Sequence, residues 1–424
     1  MKKFLILLLF ILVCEKAFSQ NKIYLSSSGS DLNSGRDSTK PWKTLHKLYR
    51  GYSYLLRRGD TLYFSLKRIP ASGKKEKITL GAYGNSDRKP VLSLYKKVMP
   101  NAFEKQANDI WRINLRDSSK LKGYTNLTDS NIGFIKVNGV IYGSKIADQT
   151  SLAQNWDFMS QDGYLYVKLN KDINRYTIQL AGNYTIIELS DDMIVEDLKL
   201  VGTGGHAIQG DGVSNVEIKR VDIAEIGGSY LPRAKIKNTR YGNGIELFNS
   251  ATNCLIENCS VSQVFDAAYT MQGAAVNAYF DNVVFRNNTA DKNEQSFELW
   301  IKGWKSGFRN CKFIDNRCSN SGFGWSHAVR TDKNVGVHLL IHAWEVADGD
   351  LLISGNQFAN PRSSYMFSRG TITGKSSFRS GKNVVLLKSG TPLRSSDSGS
   401  LKKQVQTFRK QTGWEERTEF RTIK

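Results

Sequence analysis

The strongest constraint on this chain is a ladder of short, similar segments in its second half. Ile194–Leu200, Val216–Ile223, Leu255–Val261, Val284–Thr289, Phe313–Cys318 and Leu352–Phe358 each alternate apolar with polar residues, and most carry Asn or Asp near the middle. Taking Asp197, Arg220, Asn258, Asn287 and Asp315 as equivalent gives spacings of 23 to 38 residues. A unit of that size is too short to be a domain and too rich in strand formers for a helical solenoid. Further short strands, Gly244–Phe248 and Phe297–Trp300, fall between the repeats. Several strands per unit, with Gly and Asn at the bends, describe a parallel β-helix, in which one coil cannot bury its inner face alone but stacked coils share a core. Asn258, Asn287 and Asn316 are then expected to stack as an amide ladder inside a bend.

The start of the chain reads differently. Lys2 and Lys3 precede an apolar run from Phe4 to Val13, and Ala17-Phe18-Ser19 ends it with small residues. That is the pattern of an export signal occupying 1–19, too short to span a bilayer. Cys14 offers a lipoprotein alternative, against which Val13 is too bulky. The expected location is secreted or periplasmic, with no membrane span. The chain carries 60 Lys and Arg against 39 Asp and Glu, a formal charge of +21. Such a chain attracts polyanions, and export removes nucleic acid as the usual partner. Cys254, Cys259, Cys311 and Cys318 lie in apolar strand-like runs and match no zinc spacing, so they read as buried thiols, with bridges as the other option.

Residues 20–126 are expected to hold an N-terminal cap and the first coils. Pro41 opens a predicted amphipathic helix through Leu45, Leu48, Tyr52 and Leu55. Residues 127–182 read as a β-hairpin insertion, marked by Asn138-Gly139 between apolar runs. Residues 183–374 form the β-helix proper. Residues 375–424 are a basic last coil and cap, with a helix over Leu401–Thr412. The whole reads as one elongated, all-β monomer.

Tyr24–Gly35, Pro41–Leu45 and Gly59–Phe64, with Gly242–Glu246, Phe297–Trp300 and Gly322–His327, resemble secreted bacterial right-handed parallel β-helix proteins of the pectate-lyase-like superfamily. The resemblance covers most of the chain beyond residue 19. It implies a glycan-active protein, within a superfamily holding polysaccharide lyases, glycoside hydrolases, epimerases and non-catalytic adhesins. The chain lacks the dense Asp cluster that binds calcium in pectate lyases, so no cofactor or metal is expected.

The candidate catalytic residues are Glu246, Asp266, Glu294, Glu298 and His327. Glu246 and Glu298 occupy matching places in their strands with one coil between them, hence ~10 Å apart at ~4.8 Å per coil. That is the upper edge of the ~6.5–9.5 Å carboxyl separation of an inverting glycosidase. With Ile245, Leu247, Phe297 and Leu299 facing the core, both glutamates face outward, as solvated or as catalytic groups. Asp266 and Glu294 are expected on adjacent coils, where two carboxyls can share a proton. Tyr269, Trp300, Trp304 and Trp325 offer flat surfaces to sugar rings. Lys302 and Arg330 offer positive charge to an acidic glycan. His338 and His342 have helical metal spacing, but their segment reads as a strand. The expected function is cleavage of glycosidic bonds in a polysaccharide by carboxylate acid and base. A lyase eliminating at uronic acids, using Lys302, His327, Arg330 and Tyr269, is the first alternative. A non-catalytic glycan-binding surface protein is the second.

Overall fold

A computed structural model describes residues 21–45, 48–70, 76–124, 130–234, 236–273, 277–301, 303–342, 346–369 and 379–424. The expected export segment and Lys302 lie outside the described residues.

The chain winds into a parallel β-helix with three inward columns. On the long face, Ile208, Ile245, Tyr269, Phe297, Leu339 and Met366 stack in register. On the second, Val195, Ile218, Ile256, Phe285, Phe313 and Ile353 do the same. On the third, Leu200, Ile223, Val261, Ala290, Cys318, Phe358 and Val385 close the triangle. These side chains are buried in one continuous core, where Phe297 and Phe313 stack at 4.1 Å. The alternating pattern of each repeat sends every second residue into this core.

The turn from the second to the third face explains the repeat. Asp197, Arg220, Asn258, Asn287 and Asp315 all have φ between 54° and 59°. After glycine, this left-handed conformation is tolerated best by Asn and Asp. The amide ladder itself runs one residue later than expected for two of its three members. Asn258 and Asn287 are exposed turn residues, whereas Asn288, Asn316, Asn356 and Asn383 are buried. Asn288 Nδ2 donates to Asn316 Oδ1 at 3.0 Å, and Asn316 Nδ2 to Asn356 Oδ1 at 3.0 Å. The four cysteines are free and buried, with Cys254, Cys259, Cys311 and Cys318 pushed up to about 12 by burial.

Two expectations for the first half need correction. Tyr52–Arg57 is a strand, paired in parallel with Asn21–Leu25 and Ile78–Tyr83. The predicted helix therefore does not run through Tyr52 and Leu55: Ser53, Tyr54 and Leu56 are buried there in strand geometry. The insertion also starts near Lys96, well before 127. Lys96–Val98 and Leu121–Gly123 join Phe134–Val137, Val140–Tyr142 and Ile178–Ala181 in one sheet. Glu104–Lys105, Ile110–Asn114, Phe158–Gln161 and Tyr164–Lys168 make a second, antiparallel sheet. Trp111, Ile113, Ile135, Phe158, Leu165, Val167 and Leu180 pack in a separate core. The hairpin turn Asn138-Gly139 has φ of 47° and 87°, the mirror-image turn that suits strand twist.

At the far end a helix spans Leu401–Thr412, capped by the Ser400 hydroxyl and ended at Gly413. Val405, Phe408 and Trp414 seal the solenoid core. No helix among the described residues is long and apolar enough to cross a membrane.

Candidate functional site

The long face carries the first group of polar side chains. Its outward column reads Gln209, Glu246, Thr270, Glu298, Leu340 and Phe367, rung by rung. Glu246 and Glu298 therefore flank Thr270, as the spacing implied. They face outward but are not solvated: Glu246 is 3% and Glu298 8% exposed. Each is held by a glutamine amide, Gln209 Nε2 donating to Glu246 Oε2 at 3.2 Å and Gln272 Nε2 to Glu298 Oε2 at 3.4 Å. Each also has an imidazole beside it. His206 Nδ1 lies 2.9 Å from Glu246 Oε2, and His342 Nε2 3.8 Å from Glu298 Oε1. Between the glutamates, the buried Thr270 Oγ1 has no hydrogen-bond partner among the described residues.

The second group sits on the bends that lead into the same strands. The Gln295 amide donates to the Asp266 carbonyl, so the bends of Asp266 and Glu294 lie on adjacent coils. Asp266 accepts from Arg330 Nη1 at 3.0 Å. Burial raises the Asp266 carboxyl above its ordinary range; Arg330 opposes this, and the charges of Asp332 and Glu294 add to it. Arg330 also binds Asp332 through Nε at 3.0 Å and the Phe265 carbonyl at 3.1 Å. Burial works against the guanidinium, but Asp266 and Asp332 outweigh it and keep Arg330 charged. Glu294 is 0% exposed. Its Oε1 meets His327 Nδ1 at 2.9 Å and its Oε2 accepts from the Ser326 hydroxyl at 3.0 Å. A carboxyl sealed in this way cannot touch a substrate, so Glu294 is not an acid or base toward one.

The insertion reaches this flank. Arg240 is half-buried, has no carboxylate partner among the described residues, and donates to the carbonyls of Gly228, Gly143 and Gly133 at 2.6, 2.8 and 2.9 Å. Burial pushes it down to about 9, helped by the charge of Arg330. Its three bonds tie two strand ends of the insertion to the solenoid bend. Trp325 packs against Phe134 of the insertion and Phe265 of the bend, 5.0 and 5.5 Å between rings. At Gly143 a Cβ would meet the Trp325 ring at 2.6 Å, so this joint requires a residue without a side chain.

The expected aromatic surface divides. Tyr269 points inward and is fully buried, its hydroxyl donating to the Thr289 carbonyl at 2.9 Å; it cannot contact a glycan. Trp325 is half-buried at the bend, whereas Trp300 ends the strand Gln295–Trp300 on the other side of the face. Trp304 beyond it is 74% exposed, with Lys305 Nζ 4.6 Å above its ring. His338 is interior and His342 lies on the outward side near Glu298, so the pair does not converge. No group of three or more His, Cys, Asp or Glu able to hold a metal occurs among the described residues.

Sequence reasoning passed over His206, Gln209, Gln272 and Asp332. Gln209 was within reach, since Ala207-Ile208-Gln209 aligns on Gly244-Ile245-Glu246 as one further rung. His206 and Asp332 lie in bends and loops that follow no repeat.

The family model described as "Right handed beta helix region" matches residues 165–358. No curated protein matches the sequence. Among solved structures, XylC in complex with xylose is similar at 9% identity and TM-score 0.50, covering 94% of this chain and 82% of that chain. A rhamnogalacturonan lyase is similar at 11% identity and TM-score 0.45, over 88% of this chain and 75% of that one. The polygalacturonase from Erwinia carotovora ssp. carotovora is similar at 11% identity and TM-score 0.41, over 96% and 98%. Matches of such low identity bear on architecture and not on chemistry. With its stacked parallel strands and inward columns, the chain has the right-handed parallel β-helix fold.

Proposed function

We propose that this chain is an exported carbohydrate-active enzyme that hydrolyses a glycosidic bond of a polysaccharide, with Glu246 and Glu298 as its acid and base. The observation that carries the reading is the outward rung column. Two carboxyls occupy the same position on either side of Thr270, each held by a glutamine amide and flanked by an imidazole. Backbones two rungs apart are ~10 Å apart, next to the ~6.5–9.5 Å carboxyl separation of an inverting pair. In an inverting hydrolase a pair at that separation leaves room for the attacking water. One carboxyl protonates the leaving oxygen while the other removes a proton from the attacking water. Thr270, fully buried on the middle rung, spaces the two glutamates. The amides of Gln209 and Gln272 hold the carboxylates in place.

Support of a second kind comes from the fold, shared with a protein solved with xylose bound. The formal charge of +21 favours an acidic glycan. The lyase alternative draws less support. Tyr269 is turned inward, and the guanidinium of Arg330 is engaged by Asp266 and Asp332. A screen of neutral and acidic polysaccharides tests the reading, with reducing ends and ultraviolet absorbance of unsaturated sugars both followed. Hydrolysis releases reducing ends without the absorbance. Appearance of the absorbance assigns a lyase, and neither signal with retained glycan binding assigns a binding protein.

A further inference from the structure

The bend cluster holds a histidine whose role differs from that of the glutamates on the long face. His327 belongs to the short helix Trp325–Val329, which is fixed on several sides. Trp325 Nε1 donates to the Gln263 carbonyl at 3.0 Å. The ammonium of Lys333 donates to the His327 and Ala328 carbonyls. The imidazole is then oriented by Glu294. An ionised Glu294 only accepts, so for a neutral ring the 2.9 Å contact places the proton on Nδ1 and leaves a lone pair on Nε2. Nε2 has no partner among the described residues, while the side chain keeps 10% of its surface open. The other charged groups around it are already engaged. Asp266 and Asp332 hold Arg330, and the ammonium of Lys333 is bound to backbone.

Glu294 lies four residues before Glu298, ~13 Å along an extended strand. The cluster is thus more than one sugar ring from the carboxylate pair, at the flank walled by Trp325 and the insertion. We propose that His327 is a recognition residue that accepts a hydrogen bond from a glycan hydroxyl through Nε2, and that Glu294 is the positioning residue that fixes its tautomer. This rests on the reading that the long face binds a glycan. It adds a second contact point, specific for a hydroxyl donor, one or more sugar units from the bond that is cut.

Nitrogen NMR on the full chain labelled in histidine, with His327 assigned through His327→Gln, tests the tautomer without any glycan. The expected result is a protonated Nδ1 and a bare Nε2, with the preference lost in Glu294→Gln. The opposite tautomer in the unaltered chain overturns the proposal. Titration with a panel of neutral and acidic oligosaccharides should then move the Nε2 signal, and no movement with any of them also overturns it. In turnover assays His327→Ala should raise KM about tenfold, the worth of one hydrogen bond, while kcat falls less than about threefold. A hundredfold fall in kcat at constant KM would instead place His327 at the reacting bond. If the chain cleaves no glycan but the Nε2 signal still moves on titration, the hydrolase reading fails and the recognition role stands.

Discussion

The solenoid and the insertion solve burial in opposite ways. The insertion packs two small antiparallel sheets around an apolar core of Trp111, Ile135, Phe158, Leu165 and their neighbours. The solenoid buries polar groups along with its aliphatic and aromatic columns. Asn288, Asn316, Asn356 and Asn383 run through one bend, and Ser296, Ser321 and His338 meet inside. Glu415 is fully buried among the hydroxyls of Tyr365 and Thr418 and the amide of Asn383. A stacked coil can satisfy such groups because every coil offers the same backbone atoms to the next. The insertion, with no repeat, has no such series of partners. The solenoid should therefore answer to pH and to amide deletions, and the insertion to loss of apolar volume.

The largest effect tests that difference by acid. His338 donates from Nε2 to the Ala359 carbonyl at 3.1 Å, and burial pushes it down to about 3 from 6.5. A histidine with a depressed folded value stabilises the fold fully above pH 6.5. That stability is lost as pH falls from there toward 3, up to about 5 kcal/mol in total. Denaturant unfolding at stepped pH should show this slope, and His338→Asn should flatten it. If Trp111 fluorescence in the insertion reports the same acid sensitivity as the solenoid, the two regions are one cooperative unit and the contrast fails.

Next comes the ladder. Asn316 is fully buried and bonds to Asn288, Asn356 and the Phe285 carbonyl. Asn316→Ala leaves several of these groups unpaired and should cost about 3 kcal/mol. Asn287→Gly, which keeps the left-handed turn at this exposed position, should cost less than about 1 kcal/mol. Equal losses by chemical denaturation would remove the distinction between turn and ladder positions.

Chemistry sharpens the comparison in a third way, because the proposed catalysts belong to the solenoid alone. Glu298→Gln and Glu246→Gln should each lower turnover about 100-fold or more, with Tm nearly unchanged. Near-normal turnover in both would move the acid and base to the bend cluster. The smallest effect is expected at the rim. Trp304→Ala should change stability by less than about 0.5 kcal/mol while weakening glycan binding in a calorimetric titration. A sharp fall in Tm with unchanged affinity would make Trp304 part of the packing.

The repeat was legible because its turn requires a left-handed residue in every coil, and Asp197, Arg220, Asn258, Asn287 and Asp315 all adopt it. That signal marks the turn, while the buried ladder is carried by the next residue, Asn288 or Asn383, whose neighbours in sequence look ordinary. Glu246 and Glu298 were legible through the regular spacing of rungs. Their burial was not, since His206 and His342 reach them from places the repeat does not mark. The insertion's true start at Lys96 was hidden because its first strands are three residues long or less. Tyr269 misled by its type: an aromatic with a polar tip suits a sugar surface, yet inside the stack its hydroxyl finds backbone carbonyls of two coils.

The rung column has a consequence for how such a site can change. Along it, positions are separated by whole coils, ~4.8 Å at a time. The gap between two carboxyls is therefore a digital quantity. Moving one glutamate from Glu246 to the place of Thr270 would take the pair from two rungs to one. That step leads from the spacing of an inverting pair to the ~5 Å of a retaining pair. Under the proposed mechanism, two point substitutions would change the expected stereochemical outcome of hydrolysis, with no change in the path of the chain.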